Sequence, residues 1–100
     1  MHARLITSQA PLDRLDQGIQ GWSAGQMDTL AQRGFRGNMM LVDRETGKVV
    51  VVSLWETEED AHESGNTLQS AWVQFQQAGL LVGQTTIEYF EVAARNEAPQ

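Results

Sequence analysis

The densest apolar patterning in the chain runs from Lys48 to Trp55, where Val49-Val-Val-Val-Ser-Leu-Trp55 puts apolar side chains on both sides of an extended segment. Strand side chains alternate between faces, so Val49, Val51 and Trp55 point one way, and Val50, Val52 and Leu54 the other. Asn38 to Val42 repeats the arrangement, with Met39 and Leu41 on one face and Met40 and Val42 on the opposite one. These two strands join through Asp43 to Gly47, whose glycine suits a hairpin with a residue at positive φ. Ala3 to Ser8 alternates weakly and predicts a first strand, and Thr85 to Val92 predicts a last one.

Helical spacing fills the intervals. Pro11 suits an early helical position, and Leu12, Leu15, Ile19 and Trp22 follow at helical spacing. The pattern resumes at Met27, Leu30 and Ala31 before Gly34, which fits the position just past a helix end. Glycines 18, 21 and 25 each cost about 1 kcal/mol relative to alanine inside a helix. Either the helix is kinked or split near Ser23-Ala24-Gly25, or the glycines let it approach the sheet or a ligand closely. A second helix is predicted from Thr57 as N-cap, with Glu58, Glu59 and Asp60 favourably placed against the helix dipole. It carries Ala61, Leu68, Ala71, Trp72 and Phe75 and ends at Ala78-Gly79, with Gly65-Asn66 as a candidate break.

The resulting order, β-α-β-β-α-β, is α+β and ferredoxin-like: a four-stranded antiparallel sheet with helices on one face. Residues 1–95 make one domain and 96–100 a flexible tail. A sheet wet on one face alternates apolar with polar residues, and these strands do not. Two helices cover one face, so the second face needs another cover. A second copy of the same sheet is the economical answer, since symmetric dimers dominate soluble oligomers. The expectation is a homodimer, against loops folded over the sheet.

Composition narrows the function classes. A net charge of −6 with only seven scattered basic residues argues against a nucleic-acid partner, which requires clustered Lys and Arg. The absence of cysteine excludes disulfides and thiolate metal sites. No apolar run approaches the ~20 residues of a membrane span and no signal-peptide pattern opens the chain, so a cytoplasmic protein without membrane contact is the default expectation.

Candidate chemistry is sparse. His62 in Ala61-His62-Glu63-Ser64 lacks a second histidine at metal-ligand spacing. Asn66, four residues on, shares its helix face, so the two together suit a water or a substrate carbonyl; the alternative is an exposed histidine in an acidic first turn. His2 falls in the terminus. Trp22, Trp72 and Phe75 from the helices, with Trp55 and Tyr89 from strands, either line an apolar cleft for a flat ligand or simply fill the helix–sheet core. Asn38, Asn66, Tyr89 and Arg36 are the polar groups suited to orienting a substrate, and Tyr89 suits donation to a developing oxyanion. Glu56, Glu58, Glu59 and Glu63 read as a solvated acidic face. No nucleophile–base pair, phosphate-binding glycine loop or fixed carboxylate pair is visible.

Gly34-Phe35-Arg36-Gly37, the hairpin, the strand ending in Trp55 and the join Glu56-Thr-Glu-Glu-Asp-Ala61 together resemble the antibiotic biosynthesis monooxygenase-like domain of the dimeric α+β barrel superfamily. The resemblance spans nearly the whole chain by element order, and its motifs speak more to fold than to chemistry. It implies two four-stranded sheets facing each other with helices outside, and a ligand in the cleft between the helices and the sheet of each subunit. Members include cofactor-free monooxygenases of polycyclic aromatics, haem-degrading enzymes and quinol-handling proteins. Many carry a histidine about ten positions beyond the strand-terminal aromatic; here that count reaches Ser64 and Gly65, with His62 early, and Trp72 lies too far along to match the helix tryptophan of the haem-degrading branch. Two readings follow. One is an oxygenase-like enzyme acting without metal or flavin on an aromatic or quinol-type compound, with Tyr89, His62 and Asn66 as catalytic groups and Trp22, Asn38, Trp55, Trp72 and Phe75 contacting substrate. The other is a non-catalytic dimeric module that binds a hydrophobic ligand or a protein.

Overall fold

A computed structural model describes residues 1–25 and 31–99, with side chains throughout except at 66 and 67. Strand β1 (His2–Gln9) leads through a short 3-10 turn to helix α1 (Leu15–Ala24). Strands β2 (Phe35–Val42) and β3 (Lys48–Trp55) form the hairpin, followed by helix α2 (Glu58–Gln77) and strand β4 (Val82–Glu91). The four strands make one antiparallel sheet in the order β2-β3-β1-β4. This is the expected α+β, ferredoxin-like topology.

The boundaries show where local signals were read well. Strand β3 matches its expected span, while β1, β2 and β4 each begin earlier than their patterns indicate. His2, expected in the terminus, is the first residue of β1 and pairs with Trp55 and Glu91. Thr57 caps α2 by accepting a hydrogen bond from the Asp60 amide at 3.1 Å. The helix then runs unbroken through Gly65-Asn66, because glycine costs less than the packing it would forfeit by stopping there. Leu12 is exposed, since the 3-10 turn after Pro11 rotates it off the stripe that buries Leu15. Helix α1 ends at Ala24 with Gly25 as its cap, within the stretch where a kink or split is expected. The resumed pattern at Met27 and Leu30 lies outside the described residues. At Gly21 the close approach is to helix α2 and not to the sheet, for a β-carbon there would stand 3.2 Å from the Phe75 ring.

The hairpin is fastened from both ends. Asp43 Oδ1 accepts from the Glu45 amide at 2.9 Å, and Gly47 adopts φ +79°, where a β-carbon would strike the Ala10 carbonyl. The Ala10 amide in turn donates to the Gly47 carbonyl at 2.9 Å, docking the turn on the end of β1.

Both helices lie over one sheet face. Across that face the register aligns Met40, Val51, Ile6 and Ile87 in one row. Ile6, Val49 and Val51 join Leu15, Trp72 and Leu81 in the core. Trp72 pins α2 to the sheet, its Nε1 donating to Ser8 Oγ at 3.0 Å and to Thr85 Oγ1 at 3.1 Å. The opposite face carries the rows Leu41, Val50, Thr7, Thr86; Met39, Val52, Leu5, Glu88; and Gly37, Leu54, Ala3, Phe90. Met39, Leu41 and Phe90 on it are 53%, 49% and 47% exposed. The doubly apolar strands are therefore real, and no element of this chain covers their second side among the described residues.

Candidate functional site

Next to the apolar row beneath the helices lies a polar one. Asn38, Ser53, Arg4 and Tyr89 stand in register across all four strands, each on the side facing the helices. Arg4 is 3% exposed. Its Nη1 donates to the Ala61 carbonyl at 3.1 Å and to Ser64 Oγ, in the first turns of α2. The guanidinium carbon lies 5.1 Å from the centre of the Trp55 ring, a cation–π contact. Burial pulls the Arg4 pKa below its ordinary value, and the adjacent Tyr89 pushes it back in part.

Helix α2 sits astride this row and divides the space above it. On the α1 side a cleft of about 80 Å³ is lined by Arg4, Asn38, Ser53, Trp22, Trp72 and Phe75. On the β4 side a more open groove of about 400 Å³ is bordered by His62, Gly65, Leu68, Trp72, Ile87 and Tyr89. Trp72 and Leu68 form the wall between them. A third pocket, almost wholly apolar and of about 20 Å³, is bordered by Leu15, Ile19 and Leu81.

The residues singled out from sequence are thus distributed over two compartments. Trp22, Asn38, Trp72 and Phe75 share the cleft. Trp72 and Phe75 meet edge to face at 6.1 Å. Tyr89 and His62 share the groove, their rings stacked 3.8 Å apart, with His62 half exposed and 3.5 Å from Glu58 of the preceding turn. A β-carbon on Gly65 would stand 3.5 Å from the Tyr89 hydroxyl, an ordinary contact distance, so the tyrosine lies close against α2 here. Trp55 does not join either group. It is fully buried, donates from Nε1 to Ser53 Oγ at 2.9 Å and packs edge to face on Phe35. Arg36 is turned to the surface, where it pairs with Glu56 at 3.0 Å. The expectation for the Asn66 side chain falls outside the described residues. Glu56, Glu58, Glu59 and Glu63 are exposed, as a solvated acidic face should be.

Arg4 is the residue that sequence reasoning passed over. Its one available signal was a charged residue inside a predicted strand, which calls for a partner or a ligand if that strand is buried. Among the described residues no cluster of three or more His, Cys, Asp or Glu converges on a metal position, and no helix is long and apolar enough to cross a membrane.

Comparison with solved structures defines the architecture. A monooxygenase from the ActVA-Orf6 gene of Streptomyces coelicolor, solved with nanaomycin D, superposes with a TM-score of 0.75 at 14% identity, covering 98% of this chain and 92% of that one. The chain has the fold of the antibiotic biosynthesis monooxygenase-like proteins. A protein solved as an antibiotic biosynthesis monooxygenase matches with a TM-score of 0.71 at 10% identity, over 94% of this chain and all of the other. The haem-degrader MhuD of Mycobacterium tuberculosis, solved with two haems in its active site, gives 0.76 at 17% identity over 97% of this chain and all of the other. Identities this low carry the fold and no activity. By sequence, two uncharacterised proteins of Mycobacterium tuberculosis, Rv2557 and MT2634, are each 33% identical over 95 residues. The match takes in 94% of this chain but spans only 42% of those relatives. No protein-family model matches the sequence.

Proposed function

We propose that the chain binds a small aromatic or quinol-type compound between α2 and the sheet and oxidises it with molecular oxygen, without a metal or flavin. The observation that carries this reading is the polar row Asn38, Ser53, Arg4, Tyr89 beneath helices whose aromatic side chains wall a cleft on one side and a groove on the other. Such chemistry draws its electrons from the substrate, so the protein's contribution is to exclude water and to stabilise an anion. Trp22, Trp72 and Phe75 supply the apolar walls and Asn38 orients the ring. Tyr89 adjoins Arg4 in the polar row but borders the groove with His62 stacked on it, so it donates to an oxyanion that reaches past the wall of Trp72 and Leu68. Trp55, enclosed, acts on this site indirectly, through its bond to Ser53 and its ring against the Arg4 guanidinium. A protein of this fold, the Streptomyces monooxygenase, was solved with a small-molecule ligand, nanaomycin D.

The working unit in this proposal is a homodimer. A second copy laid on the face carrying Met39, Leu41, Leu5, Val52 and Phe90 removes the apolar surface that this chain leaves open.

Oxygen uptake with 1,4-dihydroxybenzene tests the reaction. One O₂ per quinol, giving hydroxybenzoquinone and water, leaves no peroxide, so catalase added afterwards returns no oxygen. We expect enzyme-dependent uptake of this kind, reduced at least about tenfold by Tyr89→Phe, in line with the loss of one positioned donor. Binding without enzyme-dependent uptake would instead establish the non-catalytic ligand-binding module, which the core position of Trp72 favours.

A further inference from the structure

The charge in the polar row lacks its counterpart. Arg33, Arg36, Arg44 and Arg95 each meet a carboxylate, and all four of those cations are largely or half exposed. Arg4 is the most enclosed arginine of the described residues, and none of their carboxylates lies within ion-pair distance of it. Its two hydrogen bonds both leave from Nη1 and both end on neutral oxygens. Nε is buried with no partner. Placement beside the first turns of α2 adds to the imbalance, because that end of a helix dipole is positive and repels a cation. The acids of that turn do not compensate it: Glu58 and Glu59 are exposed, and Asp60 is directed to Arg33 at 3.8 Å.

A buried cation is ordinarily paired or neutralised, and an arginine is not readily neutralised. The described residues offer this cation the face of the Trp55 ring but no carboxylate, and they border it with a cleft, so a ligand is the source of negative charge that the site suits. The cleft has the right partners for such a ligand. Arg4 stands on its floor between Asn38 and Ser53 on one side and Tyr89 on the other, and Trp22, Trp72 and Phe75 line its walls. A planar ring between those aromatics brings an oxygen substituent down to the guanidinium, whose fork suits a carboxylate or a phenolate.

We propose that Arg4 is the anion receptor of the helix–sheet cleft, and that the compound bound there is a small aromatic carrying an anionic oxygen, either a carboxylate or an ionised phenol. This rests on the reading of the cleft as an aromatic-binding site and narrows it to one charge class. The alternative is that Arg4 merely braces α2 through Ala61 and Ser64, so the two must be separated by charge and not by stability.

Benzoate and benzamide share size and shape and differ in charge, which makes them the probes. Titrated into the full chain and followed by tryptophan fluorescence, benzoate is expected to bind at least about tenfold more tightly than benzamide. The Arg4 Nε–H resonance in a ¹⁵N-labelled sample is expected to move with benzoate and to stay in place with benzamide. Arg4→Met should reduce the preference below about twofold, and Arg4→Lys should keep part of it. If both probes bind equally, the aromatic cleft stands and the anion receptor falls. Preference for benzoate that survives in Arg4→Met, or an Nε–H signal indifferent to benzoate, overturns the proposal as well. If neither probe binds, both the cleft reading and this inference are refuted. Should Arg4→Met fail to fold, the wild-type comparison and the Nε–H signal decide the question alone.

Discussion

The two faces of the sheet invert the usual relation between polarity and cover. The face under the helices holds a polar row, Asn38, Ser53, Arg4 and Tyr89, while the face open to solvent carries Met39, Leu41, Leu5, Val52, Leu54 and Phe90. Solvation alone would sort them the other way, since buried polar groups cost free energy and exposed apolar ones gain none. Each face therefore points to something beyond the single chain. Polar groups kept under cover suit the recognition of a ligand, and apolar groups left bare suit the recognition of a surface. Strand β3 shows how economical the arrangement is, for its alternate residues serve the two ends at once: Val51 and Ser53 in the cleft, Val50 and Val52 on the open side.

Trp55→Ala should give the largest effect, because this side chain is fully buried on the covered face and its indole is bonded to Ser53. A loss of about 3–5 kcal/mol is expected in urea denaturation. A loss below about 1 kcal/mol would break the assignment of Trp55 to the core. On the open face, the pair Met39→Asp and Leu41→Asp should spare the fold and weaken self-association by about a hundredfold, or about 3 kcal/mol. Sedimentation across a concentration series reads this directly; a wild-type chain that stays monomeric at micromolar concentration ends the dimer proposal.

Smaller effects test what holds the two faces apart. Thr57→Ala removes the cap that starts α2 over the polar row and should cost about 1 kcal/mol, some 4–8 °C in melting temperature for a domain of this size. A melting temperature unchanged within error would show that α2 is seated by packing alone. The Asp43→Asn change is smaller and depends on pH. The Glu45 amide bonded to Asp43, with lesser help from Thr46, holds its carboxyl below the ordinary value. A depressed folded-state pKa contributes stability that is present above the unfolded value of about 3.9 and is lost as pH falls through the folded one. The variant should therefore melt below the wild type at pH 7, with the gap closing under strongly acid conditions. A gap that persists there would mean that the charge is not what tightens the hairpin.

Reading by pattern succeeded where the signal was local. Lys48 to Trp55 declared its strand, its two faces and its end, and Thr57 with Glu58, Glu59 and Asp60 declared the helix that follows. Reading failed where neighbours override local cost. Gly65 looked like a break in α2, yet the helix continues, with the Tyr89 hydroxyl packed close against it. Trp55 looked like a cleft residue because aromatic side chains suit clefts, but its row partners enclose it. Arg4 was legible only as an anomaly, a cation inside a predicted strand, and its significance depends on Ser53, Tyr89 and Ala61, which lie 49, 85 and 57 positions away.

Composition and period thus determined the class of the molecule: the order of elements, the hairpin, the capped helix and a sheet apolar on both sides. These rest on i to i+2 and i to i+4 relations that the chain carries within itself. The polar row, the division of the cleft by α2 and the isolation of the Arg4 charge were decided only in three dimensions. Register between strands far apart in sequence places four unrelated residues side by side, and the helix lying across them determines which stay buried and which face a cavity.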